Sequence, residues 1–326
     1  MNAVDHNNVV IFDDRGIPSI MCRFVRPKDT EEVPAVFKIG DKVADAIYIS
    51  KYPNIVIDGR AYSMPMADPT VNITFDGAVQ ACRCKGLGWH LMTAVEYEYL
   101  LNQSREKGTM PHGNTDWGKD YYHNDEQGKV SNLGRTYTGT GPVTWNHDHT
   151  PYGVSDLNGN VWEWLAGLRI KDGVIEFIPD NKAASPYCDL SKDSAEWQQA
   201  ETSKGPVRAN VECGEITITD AVAADDYEPD YDGVRIEKLE VELLEIPQVL
   251  KDLGIIPDKR AEEEGKTYVY FDATEGEYMP FRGSAFGHTS NSGPSALGLI
   301  SPRSGSYVYI GFRSAFYEVN GKLITE

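Results

Sequence analysis

Runs of alternating apolar and polar residues are separated by long polar, glycine-rich stretches. From Ala35 onward VFKIG, AIYISKY and NIVIDGRAYS read as short strands, with Ile47 and Ile49 on one face and Tyr48 and Ser50 on the other. Asp58-Gly59, between two apolar runs, predicts a tight hairpin turn. Residues 1–35 are polar and broken by Pro18, Pro27 and Pro34, which predicts an arm or attachment segment.

The period then changes from two to that of a helix. Phe75, Val79 and Cys82 fall on one face, Thr74 can cap the start, and Gly86 can end the run. A second helix follows, AVEYEYLLNQSREKG. Thr93 and Glu96 have capping-box spacing, Val95, Tyr99 and Leu100 face inward, and Gly108 is the stop. His90, between Trp89 and Leu91, reads as a core histidine bonded to backbone.

Residues 109–155 are rich in Gly, Asn, Asp, Thr and Tyr and lack periodicity, as in a loop region pinned by something. Asn132, Asp148 and Asp156 are hard oxygen donors for a cation, with an ordinary polar loop as the equal alternative. His147-Asp148-His149 lacks the third spaced ligand that zinc requires.

The sharpest local pattern is Tyr152 to Trp164, YGVSDLNGNVWEW. Asn158-Gly159 turns into a strand in which Glu163 sits between two tryptophans and needs a donor or a cation as partner. Asp172-Gly173 then closes the hairpin GLRIKDGVIEFIPDN. Residues 191–277 are strongly acidic. They contain an NVECGEITITD strand and a helix LEVELLEIPQVLKDLG interrupted near Pro247, and read as an insertion packed on the main domain, with a separate partner-binding module as the alternative.

Near the C-terminus two firm blocks, Phe281-Arg282-Gly283-Ser284 and Ile310-Gly311-Phe312-Arg313-Ser314-Ala315, bracket a run of Gly, Ser, Asn, His, Thr and Tyr. Such a run is a surface loop held between buried strands.

Composition narrows the functions available. The 326 residues carry a formal charge of −19, which argues against nucleic acid and anionic lipid as partners. No run approaches the ~20 apolar residues of a membrane span. MNAVDHNNVVIFDD lacks the basic and apolar regions of a secretory leader, so the expectation is cytoplasmic synthesis, with a virion or extracellular location reached by lysis. The five cysteines are odd in number and sparse, as free thiols are.

The GNVWEW block, the RGS block and the closing GFRSA together resemble the formylglycine-generating-enzyme-like (sulfatase-modifying factor) family, over about Phe37 to Phe316 apart from the insert. The resemblance implies an α+β, C-type-lectin-like fold of mixed short strands, two helices and long loops. That domain would span residues 36–326, with the insertion at 191–277. It also implies a structural Ca²⁺ held by Asn158, Gly159, Val161 and Glu163. The family's catalytic members oxidise a substrate cysteine with two C-terminal cysteines that bind copper, but residues 282–313 contain none. This predicts a non-enzyme with no catalytic cofactor.

The blocks GWHLMT, LNGNVWEW, PDN, RGS and IGFRSA also resemble the variable proteins of diversity-generating retroelements, which vary side chains on this scaffold by altering template adenines. That resemblance implies a variable, exposed ligand-binding set within 282–313: Ala285, Phe286, Gly287, His288, Gly298, Ile300, Ser301, Gly305, Ser306, Tyr307 and Tyr309. Gly, His, Ile, Ser and Tyr are all reachable from an AAC codon by changing adenines alone. The implied function is non-catalytic binding of a cell-surface protein or glycan by a phage or prophage tail protein, with phage tail components as further partners. A metal-dependent oxidase of the same fold and a bacterial surface adhesin are the alternatives.

Overall fold

The computed structural model describes residues 7–224 and 226–323; the first six residues of the expected N-terminal arm lie outside these. The rest of that arm is not an arm. Asn7–Phe12 and Pro18–Val25 pair antiparallel, and Pro18–Val25 continues onto Ala46–Ser50 through Met21↔Ser50 to Val25↔Ala46. Pro18 is the first residue of its strand, where it does not interrupt the ladder. Met21 and Cys22 are buried on opposite faces of this sheet, which explains why the prolines fail to dominate.

The same sheet receives the end of the chain. Ser314–Val319 pairs with Ala46–Ser50 and with His90–Leu91, so its order is Asn7–Phe12, Pro18–Val25, Ala46–Ser50, Ser314–Val319, Lys322–Leu323. The firm block beginning at Ile310 is therefore tied to the first third of the chain.

A second, larger sheet holds the other firm block. Leu297–Ser301 lies beside Glu277–Arg282, which pairs in turn with Trp162–Trp164 and Leu168–Lys171. Trp162–Trp164 also pairs with Ile310–Phe312, so the WEW segment sits between the two blocks. Both faces of this central strand are covered, and Trp162, Glu163 and Trp164 are all buried.

The two helices run Phe75–Arg83 and Ala94–Lys107, as their spacing predicts. Thr74 accepts from Gly77 N, Thr93 and Glu96 form the capping box, and Gly108 closes the second helix in the left-handed region. The buried face of that helix is broader than expected. Tyr97, Leu100 and Leu101 are fully buried, while Val95 and Tyr99 are half-buried. Even Glu98 is inside, because it is paired with Arg282.

The acidic insertion joins the main sheet rather than standing apart. Arg208–Glu212 and Glu215–Thr219 form a hairpin beside Val174–Phe177, and Tyr231–Arg235 and Tyr268–Asp272 extend the opposite edge. The helix expected over LEVELLEIPQVLKDLG is absent. Glu240–Glu242 is a strand parallel to Glu215–Thr219, and only Gln248–Asp252, after Pro247, is helical. Leu239, Val241 and Leu243 alternate with glutamates, and that period of two is satisfied by a sheet edge.

His90 behaves as expected: it is buried, with Nδ1 3.0 Å from Gly88 O and Nε2 2.9 Å from Glu96 Oε1. All five cysteines are unpaired. Among the described residues no helix is long and apolar enough to cross a membrane.

Candidate ligand-binding face

Each firm block is anchored by a buried arginine on a buried glutamate. Arg282 donates from Nη1 to Glu98 Oε2 at 2.8 Å, and its guanidinium lies over the Tyr97 ring at 5.0 Å. Arg313 grips Glu163 with two bonds, Nε to Oε2 at 2.6 Å and Nη2 to Oε1 at 2.5 Å. It also donates to Ser50 O at 3.1 Å and Ser155 O at 3.0 Å. Gly283 is left-handed (φ 95°), and a Cβ there would stand 2.5 Å from Leu157 O, so the turn after Arg282 requires glycine.

Between the blocks, the backbone of residues 302–309 is pinned from several sides. Arg303 binds Glu277 at 2.7 Å, Asp76 at 2.8 Å and Leu190 O at 2.9 Å. Tyr307 O accepts from Asn72 N, Val308 O from Arg135 Nη1, and Tyr309 O from Trp162 N, at 2.9, 3.1 and 2.9 Å. The side chains are freer. Tyr307 and Tyr309, in a turn where Ile310 N donates to Tyr307 O at 3.3 Å, stack with ring centroids 5.5 Å apart. Tyr309 is 37% exposed and Tyr307 half-buried.

The eleven expected ligand-binding positions do not share one environment. Gly287, Ser306 and Tyr309 are exposed, and His288, Ile300, Gly305 and Tyr307 are half-buried. Ala285, Phe286, Gly298 and Ser301 are buried, against the expectation of exposed tips. Phe286 is covered by the Trp117 ring at 5.0 Å. A Cβ on Gly298 would lie 2.2 Å from the Phe281 ring, because the cross-strand partner lays its ring over that glycine.

Several residues on this face come from elsewhere. Trp117 is 60% exposed and packs beside Gly287. Tyr270, from the insertion, sits opposite Gly298 in register and packs edge-on to Trp162 at 6.3 Å. Tyr122 donates from its hydroxyl to Ser290 O at 3.1 Å. Beside it a cleft of about 220 Å³ opens, lined by His112, His123, Tyr122, Thr267 and Ser292. Nothing in local spacing pointed to these residues; an aromatic-rich loop region was the one signal present.

The sequence profile of the sulfatase-modifying factor enzyme 1-like domain matches residues 51–206. The formylglycine-generating enzyme of Mus musculus is 36% identical to the chain over 105 residues, covering 30% of this chain and 27% of the enzyme. The chain thus spans about a quarter of the length of the curated relative it matches. Among solved structures, the Major Tropism Determinant U1 variant is 13% identical with a TM-score of 0.31, over 84% of this chain and 50% of its own. PvdO from Pseudomonas aeruginosa is 13% identical with a TM-score of 0.36, over 95% and 98%. Treponema denticola variable protein 1 is 12% identical with a TM-score of 0.36, over 95% and 99%. Likeness at this level bears on neither ligand nor activity.

Within the matched residues, the one charged member of the expected Ca²⁺ set is already paired. Both oxygens of Glu163 are engaged by Arg313, whose charge supplies the partner the glutamate needs. The Asn158 amide donates to Pro111 O at 3.2 Å, and its oxygen accepts from Ser284 Oγ at 3.3 Å. Gly159 N donates to Gly283 O at 2.6 Å, which makes that residue a backbone clasp. Asn160 is the polar residue that organises this turn. Fully buried and left-handed (φ 61°), it accepts from Thr136 N at 2.8 Å and donates to Thr136 O at 3.1 Å.

Three of the other candidate metal ligands are bonded within the protein. His147 Nδ1 accepts from Val154 N at 2.8 Å, Asp156 accepts from Gly139 N at 3.0 Å, and Asp148 accepts from Thr150. Among the described residues no three His, Cys, Asp or Glu side chains are grouped to hold a metal ion.

Two of these groups make opposed contributions to acid stability. Burial pushes Asp156 up to about 6, so it favours the folded state below its ordinary value of 3.8, and that contribution is lost as pH rises through about 6. Burial pushes His147 down to about 4, so its contribution is present above 6.5 and lost as pH falls toward 4. Asp156→Asn removes the first contribution and leaves the second. The expected outcome is a variant whose stability relative to wild type declines by about 1–3 kcal/mol from pH 7 to pH 4, read by chemical denaturation. A pH-independent difference would show that Asp156 is ionised in the folded protein throughout.

Proposed function

We propose that this chain is a non-catalytic binding protein that presents the Gly287–Tyr309 face to a cell-surface protein or glycan, as a phage or prophage tail-associated receptor-binding protein. The observation that carries this reading is the division within residues 302–309, where the backbone is pinned by Arg303, Asn72, Arg135 and Trp162 while Ser306 and Tyr309 remain exposed. A rigid backbone lowers the ordering cost of binding, and Tyr, Ser and Gly supply amphipathic and adaptable contacts. The absence of cysteine in residues 282–313 leaves copper-thiolate chemistry without ligands there. In this reading the varied positions are Gly287, His288, Ile300, Gly305, Ser306, Tyr307 and Tyr309. Ala285, Phe286, Gly298 and Ser301 belong to the frame that carries them.

The test pairs binding with stability. Fluorescently labelled protein is titrated onto a panel of bacterial cells, wild type beside a Tyr307→Ala/Tyr309→Ala variant. Loss of cell binding is expected, with each truncation costing about 2 kcal/mol or more, while the melting temperature shifts little. A variant that binds the same cells equally well would sink the reading. The flanking DNA is a second check: a near-repeat of this segment differing only at adenines, beside a reverse-transcriptase gene, supports diversification.

The 36% identity to a formylglycine-generating enzyme keeps a metal-dependent oxidase as the second reading. Copper or iron co-purifying in stoichiometric amount, with oxidation of a cysteine peptide, would establish it.

A further inference from the structure

The insertion carries a feature that the aromatic face does not use. Between the helix Ala94–Lys107 and the segment from Gln248 to Ala261 lies a polar cleft of about 600 Å³, lined by Asn102, Arg105, Gln248, Lys251, Lys259 and Arg260 among others. Arg260 donates from Nη2 to Ile255 O at 2.9 Å, but its Nη1 is buried with no acceptor. A buried donor without a partner loses its hydration and recovers nothing, and a charged one loses most.

Arg260 finds neither of the two nearby buried carboxylates free. It lies in the field of Glu98, Glu264, Arg105 and Arg282, so three guanidiniums share two carboxylates. Arg105 ion-pairs with both Glu98 and Glu264, and Arg282 takes the remaining oxygen of Glu98 at 2.8 Å. Glu264 is further occupied by Ser295 and by the backbone of Ala261. At the cleft itself Asp258 is held by Lys251 at 2.6 Å and Asp252 accepts from Gln248 at 3.0 Å. Burial lowers the Arg260 pKa to about 10, which still leaves it fully charged at neutral pH. In a chain of formal charge −19, this buried cluster has one cation in excess.

We propose that this cleft binds a single small oxyanion, a carboxylate or phosphate group, which completes the coordination of Arg260 with Lys259 at the mouth. The planar guanidinium favours such an anion, whose oxygens can accept two parallel N–H bonds. The rim carboxylates Glu106, Asp252 and Asp258 repel a polyanion, which restricts the site to one compact group.

The test is calorimetric titration of the full chain at pH 7 with inorganic phosphate and, separately, with acetate, each against chloride at matched ionic strength. Saturable one-to-one binding of either anion is expected, and the arm that binds identifies the geometry. Arg260→Gln should weaken binding about tenfold or more, and Lys259→Gln, an exposed change, should weaken it less. Should Arg260→Gln fail to fold by circular dichroism, Lys259→Gln and the side-chain nitrogen resonances of Arg260 in the titrated wild type decide. The proposal is overturned by the absence of saturable binding of both anions beyond chloride. Wild-type affinity in the folded Arg260 variant, or unmoved Arg260 resonances during a titration that shows heat, would overturn it equally.

Discussion

Glu163→Gln is expected to destabilise the protein by about 3–5 kcal/mol, and Arg313→Met by a similar amount. Each change strips one partner from a fully buried ion pair and leaves the other charge without compensation. Arg313 is 0% exposed, and the Glu163 side chain 2%. The double variant should be less damaged than the sum of the singles, because no charge is then stranded. Chemical denaturation of the four proteins gives the coupling energy directly. Additive losses would mean that Arg313 owes its place to the carbonyls of Ser50 and Ser155 rather than to Glu163. Chelation of divalent cations is expected to leave the wild-type melting curve unchanged, since the glutamate already has its counter-charge. A large downward shift with chelator would restore a cation to this turn.

The second large effect separates two glycines only eleven positions apart. Gly298→Asn should cost about 1–3 kcal/mol or more, because its Cβ meets Phe281 at 2.2 Å. Phe281 cannot swing aside, being packed edge-on against Trp162 at 5.0 Å and Trp164 at 5.5 Å. Gly287→Asn should change stability by about 0.5 kcal/mol or less. Its Cβ finds only Trp117 at 3.4 Å, an ordinary contact, and its backbone is outside the left-handed region. Thermal melts of the two variants decide it. If both are tolerated alike, Gly298 belongs with the varied positions after all.

These two glycines are alike in the chain and differ only in the fold. Both are reachable from the same codon, and both stand in a run poor in core residues. What distinguishes them is a ring contributed by the neighbouring strand through a register that shifts between Met279 and Phe281. A register shift of that kind depends on the pairing of two strands and leaves no mark in the spacing of either.

Features set by interactions within three or four residues were legible in the chain alone. The Thr74 cap, the Thr93–Glu96 box, the Gly108 stop and the Asp58-Gly59 and Asp172-Gly173 turns all appear where their residue types place them, with both turn aspartates at positive φ. The two firm blocks around the C-terminal segment were legible too, because buried strands need apolar runs wherever they end up. Only the tertiary structure decided what those blocks hold. Glu163 meets Arg313 across 150 positions, and Arg282 meets Glu98 across 184. Tyr270 arrives from the insertion to lie opposite Gly298, and Trp117 arrives from a loop to cover Phe286. The physical reason is that charge pairing and ring packing act on whatever the fold brings within a few ångströms. Caps and turns act on neighbours the covalent chain has already supplied.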